Sequence, residues 1–270
     1  MDRLATLLRH AREHVLLWLG LGSLALGCIV WTVIAIPAEL LLPKAVARRF
    51  GRQGVMRGFR LYLWWLELIG VARFDLSALD ALRDAPPMII APNHPTRIDA
   101  PMVLSRLSGI VCVTKASLLD SFLMGVGARL AGYIRNDWFL GTTALSIEAL
   151  AEGQHVLMFP EGTRTERGPI NPLRGSVGVV AARAGVPVQT LIIETDSAFL
   201  GKGWAWLRRP DMPVHFSFRL GERLEAPHDS RQLPVLLEAS FRRQLAGVHF
   251  PSACELPAAT EQPCSQAVGS

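Results

Sequence analysis

The chain has 270 residues, of which 50% are hydrophobic, with a mean hydropathy of +0.28, a formal net charge of +5 and a pI of about 9.4. This length suits one sizeable domain with appendages, and the hydropathy is high for a freely soluble protein. The positive charge suits an anionic membrane surface or phosphorylated substrates, whereas the absence of any aromatic-basic recognition motif excludes nucleic acid as a partner.

The N-terminal region, residues 1–72, is predicted to associate with a membrane. Val15–Ala38 is a run of 24 residues without charge, which is long enough to span ~30 Å of hydrocarbon. A signal peptide has a shorter apolar region and ends in a small-residue cleavage site. Residues 44–72 read as an amphipathic helical stretch, and its apolar run Leu61–Ile69 could form the second arm of a hairpin. A single membrane helix and a helical hairpin dipping into one leaflet both remain open.

Basic residues flank the uncharged run on both sides. Three arginines precede it within residues 1–14, and six basic residues follow it between positions 44 and 60. Because positively charged flanks stay in the cytoplasm, the larger excess predicts a catalytic domain on the cytoplasmic side of the inner or plasma membrane.

From about Phe74 the pattern alternates between strands and helices. The predicted strands are Met88–Ala91, Ile110–Thr114, Val156–Phe159, Val188–Ile193 and Val214–Arg219. The predicted helices are Ala100–Leu107, Leu118–Ala131, Thr142–Glu152 and Ser176–Ala184. This alternation predicts an α/β domain over residues 73–248, with a mostly parallel sheet sandwiched by helices. Residues 249–270 lack periodicity and are expected to form a disordered tail.

His94 and Asp99 are the most informative pair. They follow the apolar run Met88–Pro92, so they lie in a polar turn after a buried strand, with the next helix starting near Asp99. Active sites of open α/β sheets lie at the carboxyl ends of the strands. A histidine with a carboxylate in reach can act as a general base, since the carboxylate fixes the tautomer and stabilises the imidazolium.

Three further blocks lie downstream of the His-Asp pair. In chain order the four blocks are Asn93-His94 through Asp99, Gly132-Tyr133-Ile134-Arg135, Phe159 through Arg164, and Val186-Pro187-Val188. With them the chain resembles the glycerophospholipid acyltransferase family, which includes 1-acylglycerol-3-phosphate acyltransferase. The resemblance implies transfer of a fatty acyl chain from a thioester, acyl-CoA or acyl-carrier protein, to the hydroxyl of a lysophospholipid, without a cofactor.

The resemblance also implies the site residues. His94 would be the general base and Asp99 would hold its ring, while Arg135, Glu161, Gly162, Thr163 and Arg164 would bind the acceptor. A strand-closing loop with a glycine and an arginine can offer N–H groups and a guanidinium to a phosphate, and Glu161 is expected to take a glycerol hydroxyl or to orient the arginines.

Two assignments in this set are weaker. Lys115 follows a predicted strand where the family often carries a basic residue, so it is a secondary phosphate contact. Arg135 has a competing interpretation as a surface ion pair with Asp137.

The sequence leaves other functions open. No Gly-x-Ser-x-Gly elbow occurs, which favours direct attack over an acyl-enzyme. The residues that depart from the family pattern, Ser117, Phe122, Tyr133 and Thr190, fit an unusual donor or acceptor, such as those of ornithine lipids or polyene lipids. A non-catalytic lipid-binding protein on the same fold is the alternative from another class.

Metal catalysis and structural cysteines have no support in the sequence. The histidines are dispersed without a His-Glu-x-x-His motif. The four cysteines, at positions 28, 112, 254 and 264, form no Cys-x-x-Cys pair and fit a reducing compartment.

Overall fold

The computed structural model describes residues 2–166, 168–205, 208–226 and 229–248. The predicted tail, 249–270, lies outside the described residues. The helices are α1 (Asp2–Leu41), α2 (Lys44–Leu68), α3 (Asp99–Leu104), α4 (Ala116–Leu119), α5 (Phe122–Leu130), α6 (Phe139–Ala151), α7 (Ser176–Ala184) and α8 (Gln232–Gln244). The strands are β1 (Ala72–Asp75), β2 (Ile89–Pro92), β3 (Ile110–Thr114), β4 (Ile134–Arg135), β5 (His155–Leu157), β6 (Val188–Thr195) and β7 (Val214–Leu224). A short 3₁₀ helix, Ser77–Leu82, joins β1 to β2.

The seven strands form one sheet in the order β1-β7-β6-β2-β5-β3-β4. Every neighbouring pair in it is parallel except β6 and β7, which run antiparallel. The carboxyl ends of β2, β3, β4, β5 and β6 therefore meet at one edge, where functional side chains of α/β sheets collect. The predicted fold class, a mostly parallel sheet between helices behind an apolar N-terminal helix, is confirmed.

Both faces of the sheet are buried, and alternate residues of each central strand face opposite cores. Ile89 and Val156 pack with residues of α6, α7 and α8, whereas the next residues, Ile90 and Leu157, pack with residues of α2 and α3. A strand that is buried on both faces reads as a continuous apolar run, which explains why the central strands were predictable from sequence.

The first two helices form an antiparallel hairpin against the sheet domain. Gly20 of α1 lies against Leu66 of α2, while Trp31 of α1 lies against Gly54. The Trp31 indole also contacts Gly127 of α5, and a Cβ added at Gly54 or Gly127 would come within 1.9 or 2.2 Å of it. The two glycines therefore leave the space in which the tryptophan of α1 packs against both α2 and α5. Within the described residues, α1 is also the one helix with a stretch, Thr6–Leu41, apolar and long enough to cross a membrane.

The observed elements differ from the predicted ones at a few places. Strand β3 and helix α7 have the predicted bounds, and the other predicted strands overlap β2, β5, β6 and β7. The predicted helix Leu118–Ala131 is broken between α4 and α5, because the Ser121 hydroxyl caps α5 by accepting a hydrogen bond from the Met124 N–H at 3.4 Å. Strands β1 and β4 and helix α8 were not predicted.

Candidate active site

His94 and Asp99 lie together at the carboxyl edge of the sheet, in the turn between β2 and α3. The His94 Nδ1 is 2.7 Å from the Asp99 Oδ2. The Asp99 side chain is fully buried, whereas that of His94 is 19% exposed. Since a buried carboxylate only accepts hydrogen bonds, the contact places the His94 proton on Nδ1 and leaves Nε2 as an acceptor.

Thr96 fixes the carboxylate that holds the histidine. Its backbone N–H donates to the Asp99 Oδ2 at 2.8 Å, and its hydroxyl donates to Oδ1. Asp99 is therefore hydrogen-bonded on both oxygens, which fixes its carboxylate in place and sets the direction of the imidazole.

Phe159 and Asn93 support the position of His94. The His94 ring stacks on Phe159, with centroids 4.0 Å apart and planes inclined by 28°. The buried side chain of Asn93 donates from Nδ2 to the Ile193 carbonyl at 2.9 Å and accepts from the Ile193 N–H at 2.7 Å. Asn93 thereby extends the pairing of β2 with β6 beyond Pro92. Both residues lie in the motif blocks, but their supporting roles had no separate signal in the sequence.

Glu161 links the second motif loop to the first. Its carboxylate accepts hydrogen bonds from the backbone N–H of His94 and of Asn171, both at 2.9 Å, and from the Thr165 hydroxyl. The Thr165 N–H in turn donates to the His94 carbonyl at 2.8 Å. Glu161 is only 2% exposed, and burial raises the pKa of its carboxyl above the ordinary value. In this geometry the carboxylate positions two loops, and its predicted contact with a glycerol hydroxyl stays a prediction.

Gly162 and Thr163 turn the loop away from the strand. Gly162 has φ of +68°, and a Cβ there would come within 2.4 Å of the Arg174 Nε, so this position requires glycine. Thr163 is partly exposed beside it. Their predicted roles in acceptor binding stay predictions.

Arg164 lies close to the His-Asp pair and holds a neighbouring loop. Its Nη1 donates to the carbonyls of Leu200, at 3.0 Å, and Gly201, at 2.6 Å. Leu200 has φ of 60°, a left-handed conformation that is strained for a branched side chain and needs such support. Burial and the like charge of Arg97 lower the pKa of Arg164, while the charge of Asp99 acts in the opposite direction. The charges of Arg97 and Asp99 therefore both act on Arg164.

Arg135 and Lys115 lie farther along the same edge of the sheet. Arg135 is half-exposed and pairs with Asp137 and with Asp120, each at 2.8 Å. The competing interpretation of Arg135 as an ion-paired residue therefore fits its geometry, and two carboxylates neutralise the charge that was assigned to the acceptor. Lys115 is exposed just before α4.

Replacing Arg164 with alanine is expected to weaken acceptor binding by about 2 kcal/mol or more, which is roughly a 30-fold increase in acceptor KM. The side chain both supplies charge and holds the loop at Leu200. Lysine should recover only part of the loss, because it restores the charge without the fork geometry of arginine. Steady-state kinetics with both substrates measures the effect, and the exposed Arg183 of α7, changed to alanine, is the control. An unchanged acceptor KM with altered donor kinetics would assign Arg164 to the donor instead.

Comparisons with known proteins match the part of the chain that contains these residues. The model of the Acyltransferase family matches residues 73–194, which include both motif loops. The chain is 32% identical over 202 residues to a lyso-ornithine lipid O-acyltransferase of Pseudomonas aeruginosa, covering 72% of this chain and 70% of that protein. It is 26% identical over 190 residues to the human 1-acyl-sn-glycerol-3-phosphate acyltransferase beta, covering 66% of each.

A solved structure shares the fold. The crystal structure of the 1-acyl-sn-glycerophosphate acyltransferase PlsC from Thermotoga maritima superposes with a TM-score of 0.67 at 16% identity, covering 88% of this chain and 97% of that one. This likeness concerns the fold, whereas the matched family model and the named relatives confirm the predicted enzyme class. The chain belongs to the glycerophospholipid acyltransferase family and is an O-acyltransferase of the kind that acylates lysolipids.

Proposed function

We propose that this protein transfers a long acyl chain from a thioester, acyl-CoA or acyl-carrier protein, to the hydroxyl of a membrane lysolipid, with His94 as the general base. One observation carries the proposal: a histidine whose Nδ1 is bound to a buried carboxylate at 2.7 Å and whose other ring nitrogen is left as an acceptor. A hydroxyl is a poor nucleophile near neutral pH, so a group that accepts its proton lowers the barrier. The acyltransferase domain would span residues 73–248.

The reaction proceeds by direct attack. His94 Nε2 takes the proton of the acceptor hydroxyl as its oxygen bonds to the thioester carbonyl carbon. The tetrahedral intermediate then breaks its carbon–sulfur bond, and the imidazolium returns the proton to the leaving thiolate. Asp99 stabilises the imidazolium throughout. A covalent route through Cys112 in β3 is disfavoured, because burial raises the pKa of that thiol to about 12 and keeps it protonated.

The acceptor we propose first is a lysophospholipid such as 1-acylglycerol-3-phosphate. Two arginines, Arg97 and Arg164, place positive charge beside the catalytic pair, which suits a phosphate. Lys115 and the backbone of Gly162 and Thr163 would add contacts.

A lyso-ornithine lipid is the second candidate acceptor, and two observations favour it. The 32% identical relative acts on that class of acceptor by name. In addition, Asp120 and Asp137 neutralise Arg135, which is one of the basic residues expected to bind a phosphate.

The deciding assay offers the purified protein acyl-CoA and acyl-carrier-protein thioesters against both acceptors. Transfer to 1-acylglycerol-3-phosphate at a kcat/KM at least tenfold higher than to the lyso-ornithine lipid supports the first proposal. The reverse ratio selects the second acceptor. Thioester hydrolysis without transfer to either acceptor would contradict the acyltransferase proposal itself.

For the membrane we propose that α1 and α2, within residues 1–72, form an interfacial hairpin. Near its start α1 is held by an ion pair between Glu13 and Arg209, and farther along the Thr32 Oγ1 lies 2.9 Å from the Leu123 carbonyl. These two points are about 29 Å apart along the helix, at 1.5 Å per residue. Since both touch the same domain, the uncharged run between them lies beside that domain, with its exposed apolar face available to one leaflet.

This arrangement predicts that both flanks of the uncharged run face the same compartment. Single cysteines replacing Leu4 and Glu225, in a chain whose native cysteines are replaced, should both react with an impermeant maleimide in sealed inside-out vesicles from a bacterial host. Neither should react in right-side-out vesicles, which would place the domain on the cytoplasmic side. Reaction of the Leu4→Cys variant from the opposite side would instead establish a single membrane crossing.

A further inference from the structure

Two exposed apolar turns protrude from the sheet domain. They are the first turn of α5, residues 122–124, and the residues that begin α6, 138–140, and we call them the apolar turns. Each contributes three consecutive large side chains, which are Phe122, Leu123, Met124, Trp138, Phe139 and Leu140. Their exposed fractions lie between 39% and 73%. Contiguous apolar exposure on a folded domain marks a contact surface for another apolar phase.

The apolar turns lie at the edge of the sheet that carries the catalytic pair. Helix α5 follows β3 through α4, and α6 follows β4. Because β3 and β4 are parallel to each other and to β5, and β5 is parallel to β2, their carboxyl ends face the same way as the turn that holds His94.

Arg135 links the two apolar turns through ion pairs. It ends β4, and its guanidinium bridges Asp120, two residues before one turn, and Asp137, one residue before the other. Both ion pairs have N–O distances of 2.8 Å, and the same hydrogen bonds to Asp137 and Asp120 raise the pKa of Arg135 above its ordinary value.

The local structure of the second turn keeps the Trp138 side chain exposed. The Trp138 ring folds over Gly141, where a Cβ would come within 2.0 Å of it. The Thr142 hydroxyl lies 2.6 Å from the Arg135 carbonyl and 2.9 Å from that of Trp138, which fixes the chain between β4 and α6. A tryptophan held in an exposed position by its own backbone is typical of lipid interfaces.

The first turn continues the apolar surface of α1. Thr32 contacts the Leu123 carbonyl, and Trp31 lies against Gly127 in the same helix. Beyond this contact α1 exposes Val33, Ile34 and Leu40. The apolar surface that is suited to the membrane therefore passes from α1 onto the sheet domain.

We propose that the apolar turns are a second lipid-contacting surface, and that Arg135 is the positioning residue that keeps both turns at the same depth in the bilayer interface. The occupant is the acyl and headgroup boundary of a membrane leaflet. The proposal rests on the proposed function in one respect, since it explains how the edge carrying His94 meets an acceptor that stays in the leaflet.

The test measures membrane depth without catalysis. Single cysteines replace Phe122, Leu140 and, as a control of matched exposure on α8, Val235 in the full chain lacking its native cysteines. Each is labelled with an environment-sensitive fluorophore, and the protein is placed in nanodiscs. We expect blue-shifted emission and quenching by lipids with a doxyl group high on the acyl chain for positions 122 and 140, and neither effect at 235. Adding Arg135→Ala should reduce the quenching at one or both turns.

An activity measurement provides the second readout. The Trp138→Ser/Leu140→Ser double variant should raise the KM for a bilayer-embedded acceptor roughly tenfold, in line with the apolar area withdrawn from lipid. Its kinetics with a short, soluble acceptor should be unchanged. A Val235→Ser/Leu236→Ser variant should match the wild type on both acceptors.

The outcomes separate this proposal from the proposed function. Solvent-like emission at both 122 and 140 in nanodiscs overturns the lipid contact whatever the enzyme acylates. A second result would also overturn the lipid contact. If the emission in detergent shifts to the blue as the protein concentration rises, and doxyl lipids do not quench it in nanodiscs, the apolar turns contact another copy of the chain. Quenching in a protein that fails to acylate either acceptor would leave this surface in place and remove only the proposed function.

Discussion

Replacing His94 with alanine is expected to lower kcat by about 10²–10⁴-fold, the usual contribution of a general base. The proton of the acceptor hydroxyl then has no positioned acceptor, since water lacks both the place and the basicity of Nε2. Asp99→Asn should also be severe, because an amide donor facing Nδ1 favours the wrong tautomer. Folding should be unaffected in the His94 variant, whose ring is partly exposed. Turnover of the purified variants against a thioester and an acceptor measures both effects.

The chain provides a matched control in a second His-Asp pair. His215 Nδ1 lies 2.6 Å from Asp196 Oδ2, with both side chains more than half exposed. His215→Ala removes the same chemical pair away from the motif loops and should leave turnover unchanged. Near-normal activity of pure His94→Ala protein would refute the base assignment, and an equal loss in His215→Ala would show that the assay reports on something other than the catalytic pair.

Glu161→Ala should give the largest loss of stability among the site variants. It leaves the N–H groups of His94 and Asn171 and the Thr165 hydroxyl without an acceptor in a buried site, and each such group costs about 1–3 kcal/mol. Activity should fall as well, because the backbone of His94 loses its anchor. Chemical denaturation measures the loss of stability. Glu166→Ala, in the exposed part of the same loop, should change neither quantity.

Glu161→Gln separates the charge of this residue from its shape. Burial raises the pKa of the Glu161 carboxyl, so the folded protein holds that proton more tightly than the unfolded chain does. The contribution of the carboxyl to stability is therefore full below its ordinary pKa and is lost as the pH rises through the raised value in the folded state. The stability of the glutamine variant should not fall as the pH rises, because glutamine does not ionise. Its activity should still be lower, because the amide group places a donor against the N–H of His94 or Asn171. An identical pH dependence of stability in both proteins would contradict the raised pKa.

The sequence was enough to predict that His94 and Asp99 lie in contact, because the information for this contact is local. A continuous apolar run ends at Pro92, and only a short turn separates His94 from Asp99, so the strand and the turn together place the two side chains within reach. The central strands were predictable for the same reason, because a strand that is buried on both faces consists of consecutive apolar residues.

The partners of the charged residues were not predictable in full, because they depend on contacts between distant segments. Asp137 lies two residues from Arg135 and was foreseen as its partner, but Asp120 comes from the end of α4, across a break in a predicted helix. The Glu161 carboxylate was expected to take a glycerol hydroxyl or to orient the arginines, and only the folded loop shows the three donors that it binds. Strand β4 has two residues, which is too short for any periodicity to reveal.

The interlocking of the two motif loops has a consequence for when the enzyme becomes active during folding. His94 is anchored by Glu161, 67 residues later, and Asn93 is anchored by Ile193, 100 residues later. Contacts this distant in sequence form late, because the chain between them must first be closed. A growing chain that has not yet reached β6 carries His94 and Glu161 but lacks the pairing of Asn93 with Ile193. The recovery of activity after denaturation should therefore lag behind the recovery of helical structure.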